Sequence, residues 1–287
     1  MKATTKPQDA KAEAFTFGVE IETAIPATSG ITVGCYHRGL PVTTGRRTCD
    51  WNLIPAPSFN GAQWKAERVG SIRYGTNEMA CEFVSPIFQG SNALDALAEF
   101  TQFLDQIGAR VNDSCGVHIT VGVNSIIGST STEARAEFVR KLAHLARWHA
   151  KAVYGQTGTD RHLNTSYAAP LQDDVELHVR QMVAAPDFLK SEAANRCGRG
   201  MVNFKKLFSH GLIEFRAFAG TTNFLKLEHH IATVLGLCRR AAEVQCLGGF
   251  KKNKLQQAST LTAVDSTPVC AGSQRRYDDT PDASTCD

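Results

Sequence analysis

Carboxylates and one histidine recur at alternate positions in four short segments, a spacing that brings them onto one surface of a sheet. In residues 15–23 (FTFGVEIET), Phe15, Phe17, Val19 and Ile21 alternate with Gly18, Glu20 and Glu22. Residues 79–84 (MACEFV) carry Glu82 and are stopped by Ser85-Pro86. Residues 116–123 (GVHITVGV) set His118 against Val117, Ile119, Val121 and Val123. Residues 211–219 (GLIEFRAFA) set Glu214 and Arg216 against Ile213, Phe215 and Ala217. Period-two alternation sends the apolar set to a core and the charged set to the opposite face. Small neighbours (Gly18, Gly116, Gly122, Ala219, Gly220) leave room for a ligand there.

If these strands are neighbours, four carboxylates crowd one face. Like charges a few ångströms apart need protons or a cation among them. Carboxylates with little sulfur favour Mg²⁺ or Mn²⁺ over zinc. Arginine beside them supplies a fork for phosphate or carboxylate. Together these groups point to phosphoryl chemistry. Each alone has a plainer account: Glu20 and Glu22 a solvated face, His118 a structural histidine, Glu214–Arg216 a same-face ion pair of little weight. Their conjunction is what carries the argument.

The elements that position them follow from periodicity. Shorter strands are predicted at 30–36, 70–74 and 201–207. Helices are predicted at 92–107 with Gly108 as C-cap, at 131–154 with Thr130 and Glu133 spaced as a capping box, and at 224–247 ending at Gly248-Gly249. A weaker helix covers 171–183. The pattern predicts an α+β fold with a largely antiparallel sheet, one concave face bearing the site and helices on the other. Residues 34–63, rich in Gly, Pro and Thr, read as a long loop able to form a lid or rim.

The 287 residues are 43% hydrophobic and 21% charged, which excludes collagen, coiled coil and wholesale disorder. A net charge of +3 makes no case for nucleic acid or membrane. No apolar run approaches a membrane span, and the N-terminal residues carry no signal-like stretch. Nine cysteines, an odd number without CxxC, read as reduced thiols of a cytoplasmic protein. Residues 1–14 are expected to be a flexible leader and 257–287 a flexible polar tail, leaving 15–256 as a single catalytic domain.

GVEIE, CEFVSP, CGVHITV and IEFRAFAGTTN, in this order, resemble the amidoligase family. It is a branch of the carboxylate–amine ligases that includes glutamine synthetase and γ-glutamylcysteine synthetase. The resemblance spans about residues 15–247 and implies a glutamine synthetase-like sheet. It implies that Glu20, Glu22, Glu82 and Glu214 bind metal and that His118 lies near metal and nucleotide phosphate. Arg216 would grip phosphate or the substrate carboxylate. Arg161, Asn164 and Tyr167 match the family's R..N..Y stretch, and Asn203 its asparagine before the EFR strand, with Arg199 or Arg196 as the accompanying base. One position departs: where the family often has Asp before Gly-Ser, this chain has Val69, with Glu67 and Glu78 as potential replacements.

The activity so implied is ATP-dependent amide formation with Mg²⁺ or Mn²⁺, joining a small-molecule or peptide carboxylate to an amine through an acyl phosphate. Glu22→Ala is expected to fold and to lose turnover. Two other readings stand beside it. Cys115 with His118 would serve a cysteine-dependent amidotransferase or hydrolase, although i, i+3 spacing on a strand sets them on opposite faces. A non-catalytic module could use Arg135, Arg140, Lys141, Arg147 and Lys151 against an anionic partner.

Overall fold

The computed structural model describes residues 15–42, 57–158, 168–171, 174–184, 198 and 200–245. The expected leader and tail, and residues 246–256, lie outside the described residues. Nine strands form among them: β1 (Phe17–Pro26), β2 (Leu40–Pro41), β3 (Ser58–Phe59), β4 (Ala62–Gln63), β5 (Lys65–Glu67), β6 (Glu78–Val84), β7 (Gly116–Gly122), β8 (Val202–Asn203) and β9 (Leu212–Ala219). Seven of them make one sheet in the order β2-β5-β6-β1-β7-β9-β8, and β3 and β4 pair separately. Every strand pairing is antiparallel.

Among the described residues six helices accompany the sheet: α1 (Ala93–Gln106), α2 (Val123–Ile127), α3 (Thr132–Gly155), α4 (Val175–Ala184), α5 (Leu207–His210) and α6 (Phe224–Glu243). None is long and apolar enough to cross a membrane. The α+β class and the antiparallel sheet match the reading of the sequence, and helices pack on the sheet's apolar face. There Val19, Ile21, Phe83, Val117, Ile119, Phe215 and Phe218 are each at most 1% exposed. Ring contacts tie the layers: Phe83 of β6 meets Phe100 of α1 edge-on at 5.5 Å, and Phe100 stacks on Trp64 at 3.5 Å. Phe218 of β9 stacks on His230 of α6 at 4.2 Å.

Several boundaries differ from expectation, each for a local reason. Residues 30–36 form only one bridge, Gly34 to Glu67, and 70–74 form no strand. The strand of that region is instead β5, whose three residues are too few to show a period. Of 201–207, only Val202–Asn203 pairs. Helix α3 is capped by Ser131, whose hydroxyl accepts from Ala134 N at 3.1 Å, so the cap lies one residue beyond the anticipated Thr130 and, with alanine at the third helical position, the Thr130–Glu133 box does not form. Helix α1 ends as expected, with Gly108 at φ +73 in the left-handed region that stops helices. Helix α6 ends at Glu243, before the glycine pair, because Val244 turns extended.

In β9 the alternation breaks. Ile119 faces Phe215 and Val117 faces Phe218, so Arg216 and Ala217 together stand against His118. This bulge keeps Glu214 and Arg216 on one face and returns Phe218, one residue out of phase, to the core.

Candidate metal centre

Register assembles the charged face. Across β1 and β7, Glu20 sits opposite His118; across β1 and β6, Glu22 sits opposite Glu82. Glu67 of β5 extends that second row beyond Glu82, and Glu214 faces Thr120 on the far side of β7. Residues separated by more than 190 positions in the chain thus meet through four adjacent central strands.

At the middle lies His118 Nδ1, 3.1 Å from Glu20 Oε2, 3.4 Å from Glu214 Oε1 and 3.6 Å from Glu82 Oε1. Glu20, Glu82 and His118 each offer one ligand atom, all within 4.8 Å of one another. The His118 side chain is 4% exposed and that of Glu82 7%, while Glu20 retains 28%, so the cluster opens to solvent beside Glu20. This donor set of two carboxylate oxygens and one imidazole nitrogen fits a divalent cation, and suits Mn²⁺ as well as Mg²⁺.

The electrostatics agree with that fit. Burial, reinforced by the charges of Glu20, Glu22 and Glu67, pushes the Glu82 carboxyl up to about 8 against the pull of His118. Burial also works to raise Glu20. The hydrogen bond with His118 and the positive charges of His118, Lys206 and Arg216 outweigh it and hold Glu20 below the ordinary carboxylate range. For His118, burial disfavours the charged ring, but the bond to Glu20 and the charge of Glu214 prevail and raise it. A proton shared among these groups occupies the role that a cation fills in such a cluster.

The other two expected ligands make further hydrogen bonds. Glu22 Oε2 accepts the Gly116 amide at 2.6 Å and is buried. Glu214 is held at both oxygens: Arg216 Nη1 donates to Oε1 at 2.6 Å and Asn203 Nδ2 to Oε2 at 2.8 Å. Asn203 therefore orients Glu214 in this structure. Arg161, Asn164, Tyr167, Arg196 and Arg199 lie outside the described residues. Cys115 is fully buried in an apolar cluster with Ile72 and Ala80, which gives its sulfur no surface for a substrate.

Val69 packs against that same cluster, so apolar contact occupies the departing position. Neither replacement carboxylate is spare. Glu78 accepts the Gly75 amide at 2.9 Å, and Glu67, itself buried, accepts the His37 amide at 2.8 Å. Sequence reasoning missed two residues here. Lys206 is near enough to act on Glu20, and Tyr36, in the loop read as a rim, has its phenol raised by burial and by the charges of Glu82, Glu20 and Glu214, against Arg216. The only signal for either was proximity in sequence to a marked segment.

No curated protein sequence matches the chain. A family model described as "putative amidoligase enzyme" matches residues 13–238, a span that contains all of the strands and the whole cluster. The chain belongs to that family.

Proposed function

We propose that this amidoligase-family protein is an ATP-dependent carboxylate–amine ligase working at the Glu20–Glu82–His118 cluster. The observation that carries the reading is the gathering of three ligand atoms from three strands within 4.8 Å, with Glu214 and Arg216 alongside. A carboxylate is a poor electrophile. In the proposed reaction one of its oxygens attacks the γ-phosphorus of ATP and ADP leaves, giving an acyl phosphate; an amine then attacks the acyl carbon and inorganic phosphate leaves. Such transfer depends on positioning and on charge stabilisation more than on covalent help from the protein.

Divalent cations supply neutralisation of the phosphoryl charge when bound. Glu20, Glu82 and His118 would hold one, with His118 neutral so that Nδ1 presents a lone pair. Glu22 fixes the start of β7 through the Gly116 amide, and so the height of His118. Asn203 and Arg216 hold the Glu214 carboxylate in place at the edge of the cluster. Arg216, with Arg161 or Arg199 from the intervening segment, would hold phosphoryl or carboxylate oxygens.

The test is a screen of acid and amine pools with ATP and Mg²⁺ or Mn²⁺, read by mass spectrometry for an amide product and by release of phosphate. Product formation that needs both ATP and metal supports the reading. Full amide-forming activity in Glu82→Gln, or product formed without ATP, would remove it.

A further inference from the structure

The segment over the β5 edge is fastened to the sheet at successive points. Gly34 donates to Ala66 O and accepts from Arg68 N, both at 2.9 Å, and Leu40–Pro41 returns to pair with Lys65 and Ala66. Between these anchors the chain turns tightly, with His37 at φ +59, in the left-handed region that few non-glycine residues adopt. The Glu67 carboxylate accepts the His37 amide at 2.8 Å. Gly39 lies so close that a Cβ there would stand 2.4 Å from Glu67 Cγ, so the loop is moulded onto this side chain. Glu67 is the neighbour of Glu82 in the pairing of β5 with β6.

Tyr36, the residue before His37, is therefore held beside the Glu67–Glu82 row. Its ring lies against that of His37 with centroids 3.7 Å apart and planes tilted by 40°, it remains 60% exposed, and the charges of Glu82, Glu20, Glu214 and Arg216 all bear on its phenol. The cluster's carboxylates are acceptors, and Arg216 is joined to Glu214. An oxyanion arriving over such a surface gains from each donor at its rim; Lys206, whose charge acts on Glu20, is one and a phenolic O–H is another. We propose that Tyr36 is a substrate-contacting residue whose O–H hydrogen-bonds a phosphoryl oxygen held over Glu20, Glu82 and His118. Glu67 is the positioning residue that keeps Tyr36 there through the His37 amide. The identity of the anion rests on the ligase reading; the tether does not.

The full chain is titrated with Mn²⁺ and then, Mn²⁺-loaded, with ATP, by calorimetry. Tyr36→Phe should leave Mn²⁺ affinity within about twofold and weaken ATP by about tenfold, the loss of one hydrogen bond to a charged group. Glu67→Ala should weaken ATP to a similar extent, while Glu67→Gln, whose amide oxygen still accepts from His37, should stay within about threefold of the parent. Hydrogen exchange over residues 34–42, measured with no ligand added, gives a second reading. The His37 amide should exchange at least about tenfold faster in Glu67→Ala and remain protected in Glu67→Gln and Tyr36→Phe. Unchanged ATP affinity in Tyr36→Phe, no ATP binding by the parent chain, or a His37 amide still protected in Glu67→Ala would overturn the proposal. ATP binding that depends on Tyr36, with no amide product from any pool, would remove the ligase reading alone. Amide synthesis with Tyr36→Phe unimpaired would remove this assignment alone.

Discussion

Two buried histidines on opposite faces of the sheet have opposite electrostatics. His118 and His230 are each 3% exposed. His118 stands among three carboxylates and its ring is held above the ordinary histidine range. His230 stacks on Phe218 in the helical layer, its Nδ1 without a hydrogen-bond partner, and burial with His229 and Lys226 nearby pushes it down to about 4. Burial is common to both and so does not mark a site. What distinguishes the charged face is a buried group supplied with opposite charge from several strands. A second contrast lies within that face. Glu22, Glu67 and Glu78 each accept a backbone amide, from Gly116, His37 and Gly75, whereas Glu20 and Glu82 look inward to His118.

The largest test removes a central carboxylate. Glu82→Gln is expected to lower Mn²⁺ affinity by about 100-fold or more, measured by calorimetry, and to abolish metal-dependent turnover. Its metal-free thermal midpoint should hold or rise, because an acid already pushed up by its neighbours leaves a crowded cluster. A large drop in that midpoint would place Glu82 with the structural carboxylates instead.

The histidine contrast is tested by acid. A base whose folded value lies below its unfolded one binds fewer protons when folded, so stability falls as pH drops through the window from about 6.5 to about 4. The loss attributable to His230 across that window is on the order of 3 kcal/mol. His230→Phe, which keeps a ring on Phe218, should flatten this part of a urea-denaturation series between pH 7.5 and 4. An unaltered acid limb would show that His230 is not its source.

Smaller effects separate the amide-tethered carboxylates. Glu22→Ala leaves the buried Gly116 amide unsatisfied and should cost about 2 kcal/mol in denaturant unfolding. The variant is still expected to fold, but with this cost its lost turnover would not by itself identify a ligand. Glu78→Ala, at a solvent-exposed bond, should shift stability by no more than about 0.5 kcal/mol and leave Mn²⁺ binding alone. A metal-binding defect there would collapse the division between tethers and ligands.

Much of this face was legible from alternation. Glu20, Glu82, His118 and Glu214 could be placed on one side because each sits between strongly apolar neighbours that leave no choice of face. Strand β5 was not legible: three residues give no period, and Glu67 enters the row only through pairing with β6. The β9 bulge was equally hidden, since Phe215, Ala217 and Phe218 are all apolar and the break in phase is visible only against Val117 and Ile119. Ser131 took the cap from Thr130 because either hydroxyl suits the role and only backbone geometry selects one.

By itself the sequence determined which side chains share a face and which motifs mark the family, because a strand's side-chain period is fixed by its covalent geometry. Tertiary structure alone decided which of those carboxylates are held by backbone amides and which are left facing an imidazole. The reason is that their partners lie from three to nearly a hundred residues away along the chain, and nothing in local spacing encodes which N–H will arrive within hydrogen-bonding distance.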